Sequence, residues 1–229
     1  MPADPTSLRI TLPDGTVVSA VLQQPADAIA GLVLAHGAGA GMHHPFMAAL
    51  AEALQARAVA TLRFQFPYME QGSKRPDRPA VAQGAVRAAV GEAAKRLPGV
   101  PLFAGGKSFG GRMSSQAQAE APLPQVRGLV FVGFPLHPAG RPDTGRAAHL
   151  EQVALPMLFL QGTRDALAEL PLMRQTVQRL GSRAALHEVQ GGDHSFHVLA
   201  RSGRGDAEVR DELADVAAGW MRRLAQPAP

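Results

Sequence analysis

Cysteine does not occur in the chain, which excludes disulfide scaffolds, thiolate metal sites and cysteine nucleophiles together. Lysine is almost as scarce, since arginine supplies 20 of the 23 basic residues. With three lysines and one tyrosine, little titrates in the mildly alkaline range, so a net charge of only +4 coexists with an isoelectric point of 10.3. That isoelectric point is not a nucleic-acid signature, which needs clustered basic residues. The densest patch, Lys74-Arg75-Pro76-Asp77-Arg78, is interrupted by an acid and reads as a solvated loop. No apolar run approaches the ~18 residues of a membrane-spanning helix. The opening MPADPTSLRI lacks the apolar core of an export signal. Neither nucleic acid nor membrane is an expected partner, and a cytoplasmic location is the default expectation. A length of 229 residues suits one domain over residues 1–229, large enough to fold without a metal or disulfide staple.

Along the chain the apolar pattern alternates between short continuous runs and helical spacing. Residues 7–12 and 16–23 flank Asp14-Gly15, a hairpin signal. Strands follow at 29–35, 58–64, 100–104, 128–133, 157–161 and 185–189, of which 29–35, 128–133 and 157–161 are continuous apolar runs of the buried kind. Helical stripes lie between them: Phe46, Met47, Leu50 and Leu54; then Val81 to Leu97 behind Pro79; then about 109–120; then Leu172 to Leu180, closed by Gly181. Val209, Leu213, Val216, Trp220 and Leu224 mark a C-terminal helix, and residues 65–78 read as a polar loop. The order predicts an α/β fold: a mostly parallel twisted sheet with helices on both faces and an antiparallel N-terminal hairpin. In such sheets ligands sit beyond the carboxyl ends of the strands, so the residues just after each strand carry the functional signal.

After the run at 100–104 comes Gly105-Gly106-Lys107-Ser108-Phe109-Gly110-Gly111, which contains G-x-S-x-G. Between a strand and a helix, that pattern makes a sharp turn that lifts a serine hydroxyl above the sheet edge. With nine serines and 24 glycines the pattern arises by chance in about one such chain in ten, so its position between strand and helix is what gives it weight. Gly106-Lys107-Ser108 also resembles the end of a phosphate-binding loop, but that loop needs a glycine where Pro101 stands.

A serine hydroxyl needs a base, and the base needs an orienting acid. The run at 157–161 leads to Gly162-Thr163-Arg164-Asp165, and the run at 185–189 leads to Gly191-Gly192-Asp193-His194-Ser195-Phe196. Ser108, Asp165 and His194 therefore stand beyond three strand ends. Each has a plainer reading: Asp165 as a helix cap, His194 as one of eight loop histidines, and His194 with His197 as a metal pair that lacks a third ligand. Asp193 reads as shaping its loop, with Asp143 and Glu169 as reserve acids. The glycine-rich stretch His36 to Gly41 offers backbone N–H groups to a substrate carbonyl. Ala38 is the first choice of donor and Gly39 the second, beside the Phe109 N–H at the helix start. His36 reads as a brace for this loop.

These residues resemble the α/β-hydrolase superfamily over nearly the whole chain, and within it the dienelactone-hydrolase-like group of the testis-expressed protein 30 and non-specific-lethal complex subunit 3 types. The narrower resemblance rests on 36–41, on Arg63-Phe64-Gln65-Phe66-Pro67-Tyr68, on 105–112 and on 191–196. It implies an α/β-hydrolase fold with Ser108 as nucleophile, His194 as base and Asp165 as acid, but no particular substrate; the expected chemistry is hydrolysis of a small-molecule carboxylic ester or thioester without cofactor or metal. Dienelactone hydrolases proper use cysteine, so the chain departs from them at the nucleophile. Only residues 137–156 separate two core strands where lidded relatives insert a cap, so no cap domain is expected. Phe66, Tyr68 and Met69 are candidates for lining the acyl side. The rival expectation is a hydrolase-fold scaffold that binds a partner without chemistry.

Overall fold

Asp14-Gly15 closes the expected hairpin: β1 (Thr6–Thr11) and β2 (Val17–Gln23) pair antiparallel, with Gly15 at a φ of +85° that glycine adopts without steric cost. The computed structural model describes residues 4–226. The remaining strands are β3 (Ala30–Ala35), β4 (Val59–Phe64), β5 (Leu102–Lys107), β6 (Val126–Val132), β7 (Met157–Gly162) and β8 (Ala184–Val189). They form one eight-stranded sheet in the order β1-β2-β4-β3-β5-β6-β7-β8. Pairing is antiparallel on both sides of β2 and parallel from β4 to β8.

Among the described residues six α-helices surround the sheet: α1 (Pro45–Gln55), α2 (Pro67–Glu70), α3 (Pro79–Arg96), α4 (Phe109–Glu120), α5 (Leu170–Leu180) and α6 (Asp206–Ala225). The inner strands β3, β5, β6 and β7 are almost wholly buried on both faces, and their alternation divides the core in two. Ala30, Leu32 and Leu34 of β3 pack with α1 and α6, whereas Val33 and Ala35 face the side of α3, α4 and α5. In β7, Leu158 and Leu160 divide from Met157 and Phe159 in the same way. Between β6 and β7 the described chain carries a 3-10 helix, Gly145–Gln152, and no cap subdomain. Among the described residues no helix is long and apolar enough to cross a membrane.

Two expectations are corrected here. The strand beginning near residue 100 does not stop at Ala104 but runs to Lys107, because Gly105 and Gly106 stay in the ladder where a side chain could not. A Cβ on Gly105 would lie 1.9 Å from the Val130 carbonyl oxygen. The loop at 65–78 is not wholly irregular: Pro67 opens the single turn of α2. The chain steps from β3 outward to β4 and then returns to place β5 on the other side of β3. The crevice at such a switch point is where open α/β sheets bind ligands.

Candidate active site

Ser108 sits between β5 and α4 at φ +50° and ψ −111°, a conformation that costs a non-glycine residue about 1–3 kcal/mol and persists only when its surroundings enforce it. Its N–H donates to the Val132 carbonyl at 3.1 Å, and its carbonyl accepts from the Arg112 N–H at 3.1 Å. The two motif glycines answer to one atom. A Cβ on Gly106 would stand 2.2 Å, and one on Gly110 2.4 Å, from the carbonyl oxygen of Ala35 at the end of β3. The elbow is thus pressed against the strand whose following loop forms the opposite wall of the crevice.

Beyond β7, Asp165 is buried with no side-chain exposure. Its Oδ1 accepts from the Leu167 N–H at 2.8 Å, and its Oδ2 accepts from Gln161 Nε2 at 2.6 Å and from His194 Nδ1 at 2.7 Å. Donation from Nδ1 leaves Nε2 as the acceptor nitrogen, and it lies 2.9 Å from Ser108 Oγ. Asp193 shapes the loop as expected, its Oδ1 accepting from the N–H groups of Ser195 and His197. His197 pairs with Asp206 at 2.9 Å rather than with His194. The reserve acids lie elsewhere: Asp143 accepts from its neighbour Thr144, and Glu169 precedes α5.

The glycine-rich loop after β3 is held from below by alternate residues leaving β4. Arg63 donates to the Met42 carbonyl at 3.0 Å, and Gln65 Oε1 accepts from the Met42 N–H at 2.8 Å. The Phe66 N–H donates to His36 Nε2 at 3.1 Å, so the proton of this imidazole is on Nδ1, which donates to the Gly37 carbonyl at 2.8 Å. Burial pushes His36 down to about 4, so it stays neutral. Tyr68 Oη donates to the Ala38 carbonyl at 2.8 Å, and burial pushes its phenol up to about 12. In a trans peptide the N–H points opposite the preceding carbonyl. Anchoring the Gly37 and Ala38 carbonyls inward therefore turns the N–H groups of Ala38 and Gly39 away from the brace. Neither they nor the Phe109 N–H at the first turn of α4 meets an acceptor among the described residues.

A cleft of about 370 Å³ opens over these groups, walled by Ala38, Gly39, Ala40, Phe46, Met47, Lys107, Ser108 and His194 among others. Phe66 and Tyr68 do not line it: at 0 % and 2 % exposure they lie under the oxygen-facing loop and brace it. The sequence offers both only as candidates for the acyl side, because an aromatic in a loop gives no sign of which way it turns. Phe46 and Met47 of α1 line the cleft instead. Gln161, which ties Asp165 Oδ2 to the Phe134 N–H, was also missed; its signal is a polar residue closing an apolar strand.

Compared with known proteins, residues 28–222 match the alpha/beta hydrolase domain family. The chain belongs to that family. Among solved structures this α/β hydrolase is similar to an alpha-beta serine hydrolase homologue from Coxiella burnetii, with 21% identity, a TM-score of 0.75, and 94% of this chain and 98% of the other covered. It is similar to a serine hydrolase without lid from Xanthomonas campestris, with 21% identity, a TM-score of 0.74 and coverage of 100% and 98%. A dienelactone hydrolase from Anabaena variabilis aligns at 20% identity and a TM-score of 0.73 over 95% and 96%. At such identities the likeness speaks for the fold, and the site must be argued from its own geometry.

Proposed function

We propose that this α/β hydrolase cleaves carboxylic esters or thioesters through an acyl-enzyme on Ser108. The observation that carries the reading is the unbroken hydrogen-bond chain from Ser108 Oγ through His194 to buried Asp165, at 2.9 and 2.7 Å. His194 Nε2 takes the serine proton as Oγ attacks the carbonyl carbon, and Asp165 holds the resulting imidazolium. The N–H groups of Phe109 and Ala38, with Gly39 as the alternative to Ala38, receive the oxyanion; one such donor is worth about 10²–10³ in turnover. His194 returns the proton to the leaving alcohol or thiol. A water deprotonated by the same nitrogen then attacks the acyl carbon and releases the acid and free Ser108. The chemistry uses side chains and backbone alone. The open cleft suits a small acyl group.

The test is intact-mass analysis after exposure to a fluorophosphonate, beside S108A. One stoichiometric adduct on the wild-type chain, lost in a variant that melts at the same temperature, is the expected result. Folded wild-type protein that takes up no adduct overturns the reading in favour of a scaffold of the same fold.

A further inference from the structure

The G-x-S-x-G geometry places no demand on the residue just before the serine, yet here it is Lys107, one of three lysines in the chain. The side chain is partly buried and reaches across the strand ends rather than outward. Its Nζ donates to the carbonyl oxygen of His194 at 2.5 Å, a contact between residues 87 apart in sequence. The ammonium stands 5.4 Å from the centre of the Phe196 ring, which in turn stacks on Phe46 of α1 at 5.9 Å. Room for it comes from Gly133, where a Cβ would lie 3.0 Å from Nζ. Among the described residues no carboxylate lies within ion-pair distance of it. Asp165 and Asp193 act on it from farther off, and burial lowers its proton affinity to about 8. Removing an ammonium from water costs free energy that a single carbonyl and a ring face offset only in part. Surface placement would avoid that cost.

What the contact achieves is local. The imidazole of His194 is fixed at Nδ1 by Asp165, and its backbone carbonyl is fixed by Lys107. We propose that Lys107 is a positioning residue: it ties the backbone of the base to the strand end that carries the nucleophile, and so sets the approach of His194 Nε2 to Ser108 Oγ. This rests on the assignment of Ser108 and His194 as nucleophile and base.

The test compares wild type with K107M, which keeps the apolar stem and loses the donor, and K107R, which keeps a cationic donor. Three readouts are taken: kcat and KM on p-nitrophenyl acetate, the rate of fluorophosphonate inactivation, and the downfield proton resonance of His194 Nδ1. A misplacement of about 1 Å costs on the order of 10²-fold. K107M is therefore expected to lose roughly 10–100-fold in kcat and in inactivation rate with KM little changed. Its Nδ1 proton resonance is expected to shift or broaden, and K107R to recover part of both. If K107M fails to fold, K107Q takes its place. Wild-type kcat with an unmoved Nδ1 resonance overturns the proposal. So does a loss that falls on KM with that resonance unmoved, because Lys107 would then be touching substrate. Should the wild-type chain take up no fluorophosphonate, the nucleophile assignment fails, and the Nδ1 resonance still decides whether Lys107 positions His194.

Discussion

Tyr68 Oη donates to the Ala38 carbonyl at 2.8 Å, with the Gly37 carbonyl farther off at 3.5 Å, and in the proposed chemistry this contact turns a backbone donor toward the substrate. Tyr68→Phe removes the hydroxyl and keeps the buried ring. Turnover on a p-nitrophenyl ester is expected to fall by roughly 10-fold, because a loosened donor loses part of the 10²–10³ that an intact one supplies. KM should be nearly unchanged, and the fold should lose only about 1 kcal/mol, the usual worth of one hydrogen bond. Steady-state kinetics and a urea melt check both. At this scale Ser108, Asp165 and His194 were legible because each is a polar residue four or five positions beyond a strand run. The brace residues were legible as a motif but not as a device. The contacts of Arg63, Gln65, Phe66 and Tyr68 with the 36–42 loop depend on two parallel strands lying side by side, which sequence spacing does not encode.

Among elements, α4 and α3 show how glycines in helices do opposite work. A Cβ on Gly110 would meet the Ala35 and His36 carbonyls at 2.4 and 2.7 Å, whereas one on Gly84, in α3, meets nothing within 4 Å. Gly110→Ala is expected to destabilise by at least about 1–3 kcal/mol through backbone displacement. Gly84→Ala should stabilise by about 0.5–1 kcal/mol, since it restores helix propensity in open space. Urea melts of the two variants give the contrast directly. The same distinction explains the misplaced end of β5, since local propensity ends a strand at Gly105-Gly106 while neighbouring carbonyls keep the glycines in the ladder. The strands and the long helices were legible from periodicity and their caps. The 3-10 helix Gly145–Gln152 was not, because it buries only two apolar side chains, Ala147 and Leu150, too few to show a period.

For the molecule as a whole, two embedded imidazoles tie stability to pH on the mildly acid side. Burial pushes both His36 and His149 down to about 4 from the ordinary 6.5. The unfolded chain takes up these protons as pH falls through 6.5, and the folded chain refuses them until about 4. Stability is therefore lost across that window on acidification. His149→Gln keeps a donor for Ser115 Oγ, which His149 Nε2 meets at 2.7 Å, and removes one of the two refused protons. Its urea midpoint should fall less steeply between neutral pH and pH 4 than that of the wild-type chain. The contact between Lys107 and His194 has a mechanical consequence at this same scale. Strands β5 and β8 are separated by β6 and β7, so any breathing of the sheet twist would slide the loop after β8 against the serine turn. Because the proposed strut is rooted in the residue covalently joined to Ser108, the backbone of the base is held to β5 as well as to its own strand. Flexing of the sheet is thereby resisted at the gap that the proton must cross.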